Sequence, residues 1–477
     1  MIFNKFKSLE KYIWSFGQQF SLKIVAFIVQ IVLARILVPE DFGMIALISI
    51  FIYIGQSLAD GGMRSSLIRT IDANEDDYST VFYINILISI TIYLLIYIIA
   101  PFIADFYNIE ELTNLIRVLS LSFIFRAFNI VQSTIVVKEL NFKKNFLIQL
   151  PSNIIASVVG VLLAYKGFGV WSLVYMTLVE SLTNTLTFWF TSSWRPKLTF
   201  KKEIYLKHFN FGYKLTIASV LNTIFQNIYT IIIGKIYTPT LVGLYNRADS
   251  FNSFPVRMSI SSIKSVTYPL LSKLKNDDIA LKQNYRRIML LVIFFITPVL
   301  LLMYLNAESL FKIVLTEKWN NAVPFFKILC IASIFYPLQE YNLQVLDIKG
   351  RSDIYLKIEL IKKIITIIVL AIAFNFNIYY LLYSQILLNI IFFILGAIIT
   401  GDMINYKIKE QILDISKIFG INFLVFILIL LLSKMLMLSN DYIKILIFSS
   451  VYIILYILGA LIFKLEPIRL IKKKNNE

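Results

Sequence analysis

From Ile86 to Ala104 the chain runs without one charged side chain, and apolar stretches of comparable length recur along it with only short polar breaks. About 20 residues of α-helix cross a hydrocarbon layer roughly 30 Å thick, so each such stretch is long enough to span a bilayer. Backbone groups in lipid find no water, which restricts spanning segments to helices and closed barrels. The 86–104 run lacks the alternating period of a barrel strand, so the fold class is all-α and polytopic. With 58% hydrophobic residues and a mean hydropathy of +0.75, the chain carries more apolar surface than a soluble core absorbs.

Fourteen transmembrane helices are predicted, near 13–35, 42–62, 80–104, 112–136, 146–165, 169–193, 209–236, 241–263, 287–306, 323–347, 354–374, 377–400, 413–433 and 441–463. The amino end carries Lys5, Lys7 and Lys11, but its first apolar run holds Gln18, Gln19 and Lys23 and no small-residue cleavage site, so it reads as a retained span. Alternate loops concentrate Lys and Arg, among them Lys138/Lys143/Lys144, Arg195/Lys197/Lys201/Lys202/Lys207 and Lys472/Lys473/Lys474. With both termini cytoplasmic, roughly thirty basic residues fall inside and about five outside, an asymmetry that sets the orientation of a cytoplasmic-membrane protein. The formal charge of +17 therefore expresses topology and attraction to anionic membrane lipids. No loop interleaves aromatics on a basic module, so nucleic acid is not expected as a partner.

Two stretches resemble each other. Phe16-Gly17-Gln18-Gln19 leads through a span to Pro39-Glu40-Asp41-Phe42-Gly43, and Phe211-Gly212-Tyr213-Lys214 leads through another to Pro239-Thr240-Leu241-Val242-Gly243. Six spans separate corresponding points. The expected architecture is two parallel six-helix lobes related by a pseudo-two-fold axis along the membrane normal, plus two C-terminal helices. The corresponding segments are 1–206 (helices 1–6), 207–400 (helices 7–12) and 401–477 (helices 13–14 and a basic cytoplasmic tail).

Polar residues within spans face protein or water, because a charge at the bilayer centre costs about 2.5 kcal/mol or more. Helical spacing groups Ser122, Arg126, Asn129 and Ser133 in the fourth span, with Arg117 beyond them. It groups Asp249, Ser253 and Arg257 in the eighth span, with Arg247 near the outer end. The tenth carries Tyr336, Glu340, Gln344 and Asp347, and the first and seventh carry Gln19/Lys23/Gln30 and Asn222/Gln226/Tyr229. Interhelical hydrogen bonding is the plain reading of any single residue, at about 0.6 kcal/mol per contact. Together the stripes predict a hydrated cavity for a polar, anionic ligand, with Arg126, Arg247, Arg257, Asn129, Gln226, Glu340 and Gln344 as substrate-binding candidates.

Catalysis and cofactors are not expected. Cys330 is the one cysteine and His208 the one histidine, which leaves neither an intramolecular disulfide nor a multi-His metal site. Gly234-Lys235 is followed by Ile236, so no ATP-binding loop occurs there. The longest loops, near 63–79 and 264–286, are too short for a catalytic domain. His208 is expected at the membrane interface.

The stretch Ala34 through Gly43, with Glu139-Leu140-Asn141-Phe142-Lys143-Lys144, Gly167-Phe168-Gly169-Val170-Trp171-Ser172-Leu173-Val174 and Trp194-Arg195-Pro196, resembles the polysaccharide transporter family of lipid-linked oligosaccharide flippases. Gly234-Lys235 through Pro239 to Gly243-Leu244-Tyr245-Asn246-Arg247-Ala248, and Gly350-Arg351-Ser352-Asp353 with Lys357 and Glu359, continue the likeness. It reaches to about residue 400. The resemblance implies the two-lobed fold of the multidrug/oligosaccharidyl-lipid/polysaccharide exporter superfamily. It also implies alternating-access flipping of undecaprenyl-diphosphate-linked sugar units for O-antigen, capsule or exopolysaccharide, with a coupling cation and a polymerase as candidate partners. An ion-coupled exporter of drugs or metabolites is the alternative, with Asp60, Asp249 or Asp347 binding the driving cation. A membrane-embedded glycan polymerase would need a large loop or a cluster of carboxylates near one face, and neither is evident.

Overall fold

The computed structural model describes residues 22–436 and 440–468, without the side chains of residues 262, 263, 265 and 266. Gln18, Gln19, the Phe16–Gln19 repeat flank and the basic tail Lys472–Lys474 lie outside the described residues. The described residues form helices and no strands. They divide into two compact units, Met1–Gly243 and Leu244–Glu477.

Unit 1 contains α1 (22–36), α2 (Pro39–Asp60), α3 (Met63–Arg69), α4 (Glu75–Tyr107), α5 (Glu111–Leu119), α6 (Leu121–Ala127), α7 (Ile130–Lys138), α8 (Phe142–Tyr165), α9 (Val170–Thr191), α10 (Lys202–Gln226) and α11 (Ile228–Ile236). Local chemistry sets the helix ends. Pro39 begins α2, where the Asp41 carboxylate accepts the Val38 amide at 3.1 Å, and Gly61 and Gly62 end it with φ of 56° and 67°. Asn74 caps α4 by accepting the Asp76 and Asp77 amides. At the end of α2 a methyl group on Gly62 would fall on the Gly212 backbone, so α10 approaches the Gly61–Gly62 turn at glycine distance. Below that contact His208 is fully buried. Its Nδ1 lies 2.8 Å from Ser66 Oγ and its Nε2 3.0 Å from Asp77 Oδ1, tying α10 to α3 and α4. The histidine expected at the membrane interface is thus buried within the protein.

α12 (Pro239–Ser272) begins in unit 1 and continues into unit 2. Unit 2 also holds α13 (Asp278–Leu305), α14 (Ala307–Val314), a 3-10 turn (Glu317–Ala322), α15 (Val323–Ala332), α16 (Tyr336–Ile348), α17 (Ser352–Ala373), α18 (Ile378–Met403), α19 (Ile408–Met435) and α20 (Asp441–Ile462). A hydrophobic core among its described residues joins α13, α16, α18, α19 and α20. Tyr285 stacks on Tyr341 at 4.6 Å between ring centroids and donates to Asn342, and Tyr452 donates to Asn422 at 2.9 Å. The Tyr285 and Tyr452 hydroxyls therefore each have an acceptor on another helix, whereas the buried Tyr341 hydroxyl has no partner among the described residues. Arg286 grips Asp414 with two nitrogens at 2.5 and 2.7 Å and adds Glu466 at 2.5 Å.

Among the described residues eight helices are long and apolar enough to cross a membrane, or ten when each of two bent pairs is one span. Those ten coincide with ten of the predicted spans. The other predicted spans fall on α1, α9, α12 and α17. α12 also corrects one loop, because it runs unbroken to Ser272 and makes Lys264 a helical residue.

Candidate functional site

The fourth predicted span is not one straight helix. Residues 111–127 and 130–138 meet at 51°, with the break at Phe128 and Asn129. A break in a span frees backbone carbonyls that need donors. Thr185 Oγ1 donates to the Phe125 carbonyl at 2.7 Å and Trp189 Nε1 to the Phe128 carbonyl at 2.8 Å, both from α9. The kink is thus held by the facing helix, and it turns Arg126 and Asn129 toward α9. Asn129 Nδ2 donates to Thr185 Oγ1 at 2.7 Å and to Asn184 Oδ1 at 3.3 Å. Arg126 is exposed and makes only long bonds, from Nε to Ser181 Oγ and from Nη1 to Gln56 Oε1, each 3.4 Å.

These residues line a cavity of about 360 Å³ inside unit 1. α2 contributes Gln56 and Asp60, α3 Arg64, α4 Asn85 and Ser89, α8 Asn145, Gln149 and Asn153, and α9 Glu180, Ser181 and Asn184. Asn145, Gln149 and Asn153 stand on successive turns of one face, with Gln149 Nε2 donating to Asn145 Oδ1 at 3.0 Å. Asn153 donates to the Gln149 carbonyl at 3.0 Å. Asn85 Oδ1 and Asp60 Oδ1 are buried without a hydrogen-bond partner among the described residues. No group of three or more His, Cys, Asp or Glu among the described residues is placed to hold a metal ion.

The remaining candidates lie elsewhere. Gln226 is exposed at the last position of α10, where α11 departs at 52°. In unit 2 Arg247 is buried with its guanidinium 5.5 Å from the Trp319 ring centroid, a packing role for a cation over an aromatic face. Arg257 is exposed, two turns after Asp249. Glu340 pairs with Lys264 Nζ at 2.6 Å, and buried Gln344 accepts from Thr267 Oγ1 at 3.1 Å. Arg117 lies outside the cavity, donating to the Tyr97 carbonyl at 3.2 Å with its guanidinium 4.2 Å from that ring. Spacing on the fourth span therefore found two of the cavity's walls, but the α8 and α9 residues were missed. The same i, i+4 test applied to Asn145/Gln149/Asn153 and to Glu180/Asn184 exposes them.

A helical chain with many membrane-crossing segments and a polar, charged cavity walled by seven of its helices defines a multi-pass membrane protein built around an internal polar site. The chain belongs to the polysaccharide biosynthesis protein family, whose profile matches residues 32–324. It is 25% identical over 301 residues to the teichuronic acid biosynthesis protein TuaB of Bacillus subtilis, covering 63% of this chain and 62% of that one. It is 25% identical over 333 residues to the lipopolysaccharide biosynthesis protein WzxC of Escherichia coli, covering 69% of this chain and 68% of that one. Among solved structures its fold is similar to that of the lipid II flippase MurJ in an inward closed conformation, with a TM-score of 0.74 at 16% identity over 94% of this chain and 98% of that one. The structure is thus the all-α, polytopic one expected from the sequence, and its fold is similar to that of this membrane protein.

Proposed function

We propose that this protein flips lipid-linked oligosaccharide units across the bacterial cytoplasmic membrane for assembly into a surface polysaccharide, and that it makes and breaks no covalent bond. The observation that carries this reading is the charged, hydrogen-bonding cavity of unit 1, embedded among apolar helices. Such a site lets a polar headgroup leave water while its lipid tail stays in the bilayer. The kinship with TuaB and WzxC, both named for cell-surface polymers, supports the substrate class. On this reading both termini are cytoplasmic, as the distribution of basic residues favours. A polymerase then consumes the units delivered to the outer leaflet.

The test is a deletion strain. It should lose surface polysaccharide and accumulate lipid-linked repeat units on the cytoplasmic leaflet, and the intact chain should reverse both. Arg126→Ala should restore polymer poorly at normal membrane abundance. A strain that keeps its glycan and gains drug sensitivity instead would support export of small molecules.

A further inference from the structure

We propose that the cavity of unit 1 holds the sugar portion of the transported molecule, specifically neutral sugars, and that the diphosphate is held outside this cavity. The inference rests on the flippase reading and concerns which part of the substrate this site takes.

Charge is the first argument. The ionisable residues of the lining are Arg64 and Arg126 against Asp60 and Glu180, a formal sum of zero. The Glu180 carboxylate makes no hydrogen bond or ion pair with the described residues. With its two guanidinium groups offset by two carboxylates, the lining offers a diphosphate no excess of positive charge. A uronic acid would meet the same obstacle.

Hydrogen-bonding capacity is the second. Seven carboxamides line the cavity. Each carries both donors and acceptors, which matches a sugar hydroxyl that donates one hydrogen bond and accepts others. Much of that capacity is unspent. Asn145 uses its oxygen on Gln149, Asn184 uses its oxygen on Asn129, and Asn153 uses its nitrogen on its own helix. The opposite ends of these three groups have no partner among the described residues, and Asn85 Oδ1 is buried without one. Amides serving only to hold helices together would be spent on one another. A buried unpaired polar atom such as Asn85 Oδ1 is costly, and a polyhydroxylated ligand can bond it together with the open ends of the other amides. The rings of Phe123 and Phe188 add apolar surface for the C–H face of a sugar. The volume, about 360 Å³, falls at the small end of the roughly 300–1,000 Å³ of ligand sites, suited to a few rings of a longer glycan.

The experiment uses the single-cysteine chain Cys330→Ala/Ser133→Cys in membrane vesicles. Ser133 lines the cavity and bonds only its own helix, so the change is nearly isosteric. The rate of labelling by a small charged thiosulfonate is read without lipid, with polyprenyl diphosphate bearing a neutral oligosaccharide, and with sugarless polyprenyl diphosphate. The glycosylated lipid should slow labelling several-fold and the sugarless lipid should leave it unchanged. Gln149→Ala should raise the concentration of glycosylated lipid needed for protection. Equal protection by the sugarless lipid would make this a phosphate site, and protection by neither would remove it from the substrate path; either result overturns the proposal. Flipping by the same variant in proteoliposomes separates the two levels. Flipping without sugar-dependent protection sinks this inference alone, whereas absence of flipping by the unsubstituted chain sinks the flippase reading.

Discussion

Gly43 and Gly243 pack on each other reciprocally: a methyl group on Gly43 would fall on the Pro239 carbonyl, and one on Gly243 would fall on the Pro39 carbonyl. These are the two Pro-x-x-x-Gly turns of the internal repeat, and each glycine meets the proline that opens the other's helix. Contact of i with j and of j with i is the signature of a local two-fold relation. Gly43→Ala and Gly243→Ala should each destabilise the purified protein by about 1–3 kcal/mol, the cost of overpacking a closed contact. Because both strain one junction, the double variant should lose less than the sum. Thermal unfolding in detergent measures this, and unchanged midpoints in both single variants would show that the backbones stand further apart.

The His208 network makes a second prediction. Asp77 is 3% exposed and receives His208 Nε2 at 3.0 Å and Lys207 Nζ at 3.3 Å. Replacing His208 with Ala leaves Ser66 Oγ and the carboxylate short of a buried partner, at a cost of about 1–3 kcal/mol. The expected result is a lower unfolding midpoint with membrane insertion intact, since α10 still meets α3 through Gly62 and Gly212. A midpoint equal to that of the unsubstituted protein would mean that water replaces the imidazole.

The fold was legible in the sequence where physics is local. Hydropathy marked the long helices, Pro39 and Asn74 marked helix starts, and Gly61 and Gly62 a stop. The break at Phe128–Asn129 was not legible, because no proline or glycine stands there. It is stabilised by donors on α9, some sixty residues away in sequence. Arg126 and Asn129 were visible as a stripe, whereas their partners belong to helices whose polar faces were not aligned with it. The unbroken course of α12 was hidden by Lys264, which reads as a loop residue until Glu340 is placed opposite it.

Glu180 makes a prediction about selectivity. Its unpaired carboxylate faces the cavity, so an acidic sugar pays a repulsion there that a neutral one does not. Glu180→Gln keeps shape and hydrogen-bonding capacity while removing the charge. The variant should gain transport of uronate-bearing repeat units relative to neutral ones, measured by complementation of a flippase-deficient strain that makes an acidic capsule. If the substitution lowers transport of both classes alike, Glu180 acts in the transport cycle and not in sugar choice.

Lys264 pairs with Glu340, and a second carboxylate on the same helix, Asp347, makes that pair asymmetric. Its ammonium lies 2.6 Å from Glu340 on α16, and Asp347 stands two turns further along the same helix. Removing Glu340 leaves Lys264 with Asp347 as a remaining counter-charge. Removing Lys264 leaves two carboxylates on one helix face with no cation between them. Lys264→Gln should therefore destabilise more than Glu340→Gln. The lysine side chain is 42% exposed, so each effect is held to about 0.2–1 kcal/mol. Adding Glu340→Gln to Lys264→Gln should recover part of the loss, because one of the two repelling charges is gone. Unfolding midpoints at low and high salt resolve the ranking, since screening should narrow the gap between the single variants. Equal losses at both salt concentrations would show that Asp347 takes no part and that Lys264 and Glu340 form a simple isolated pair.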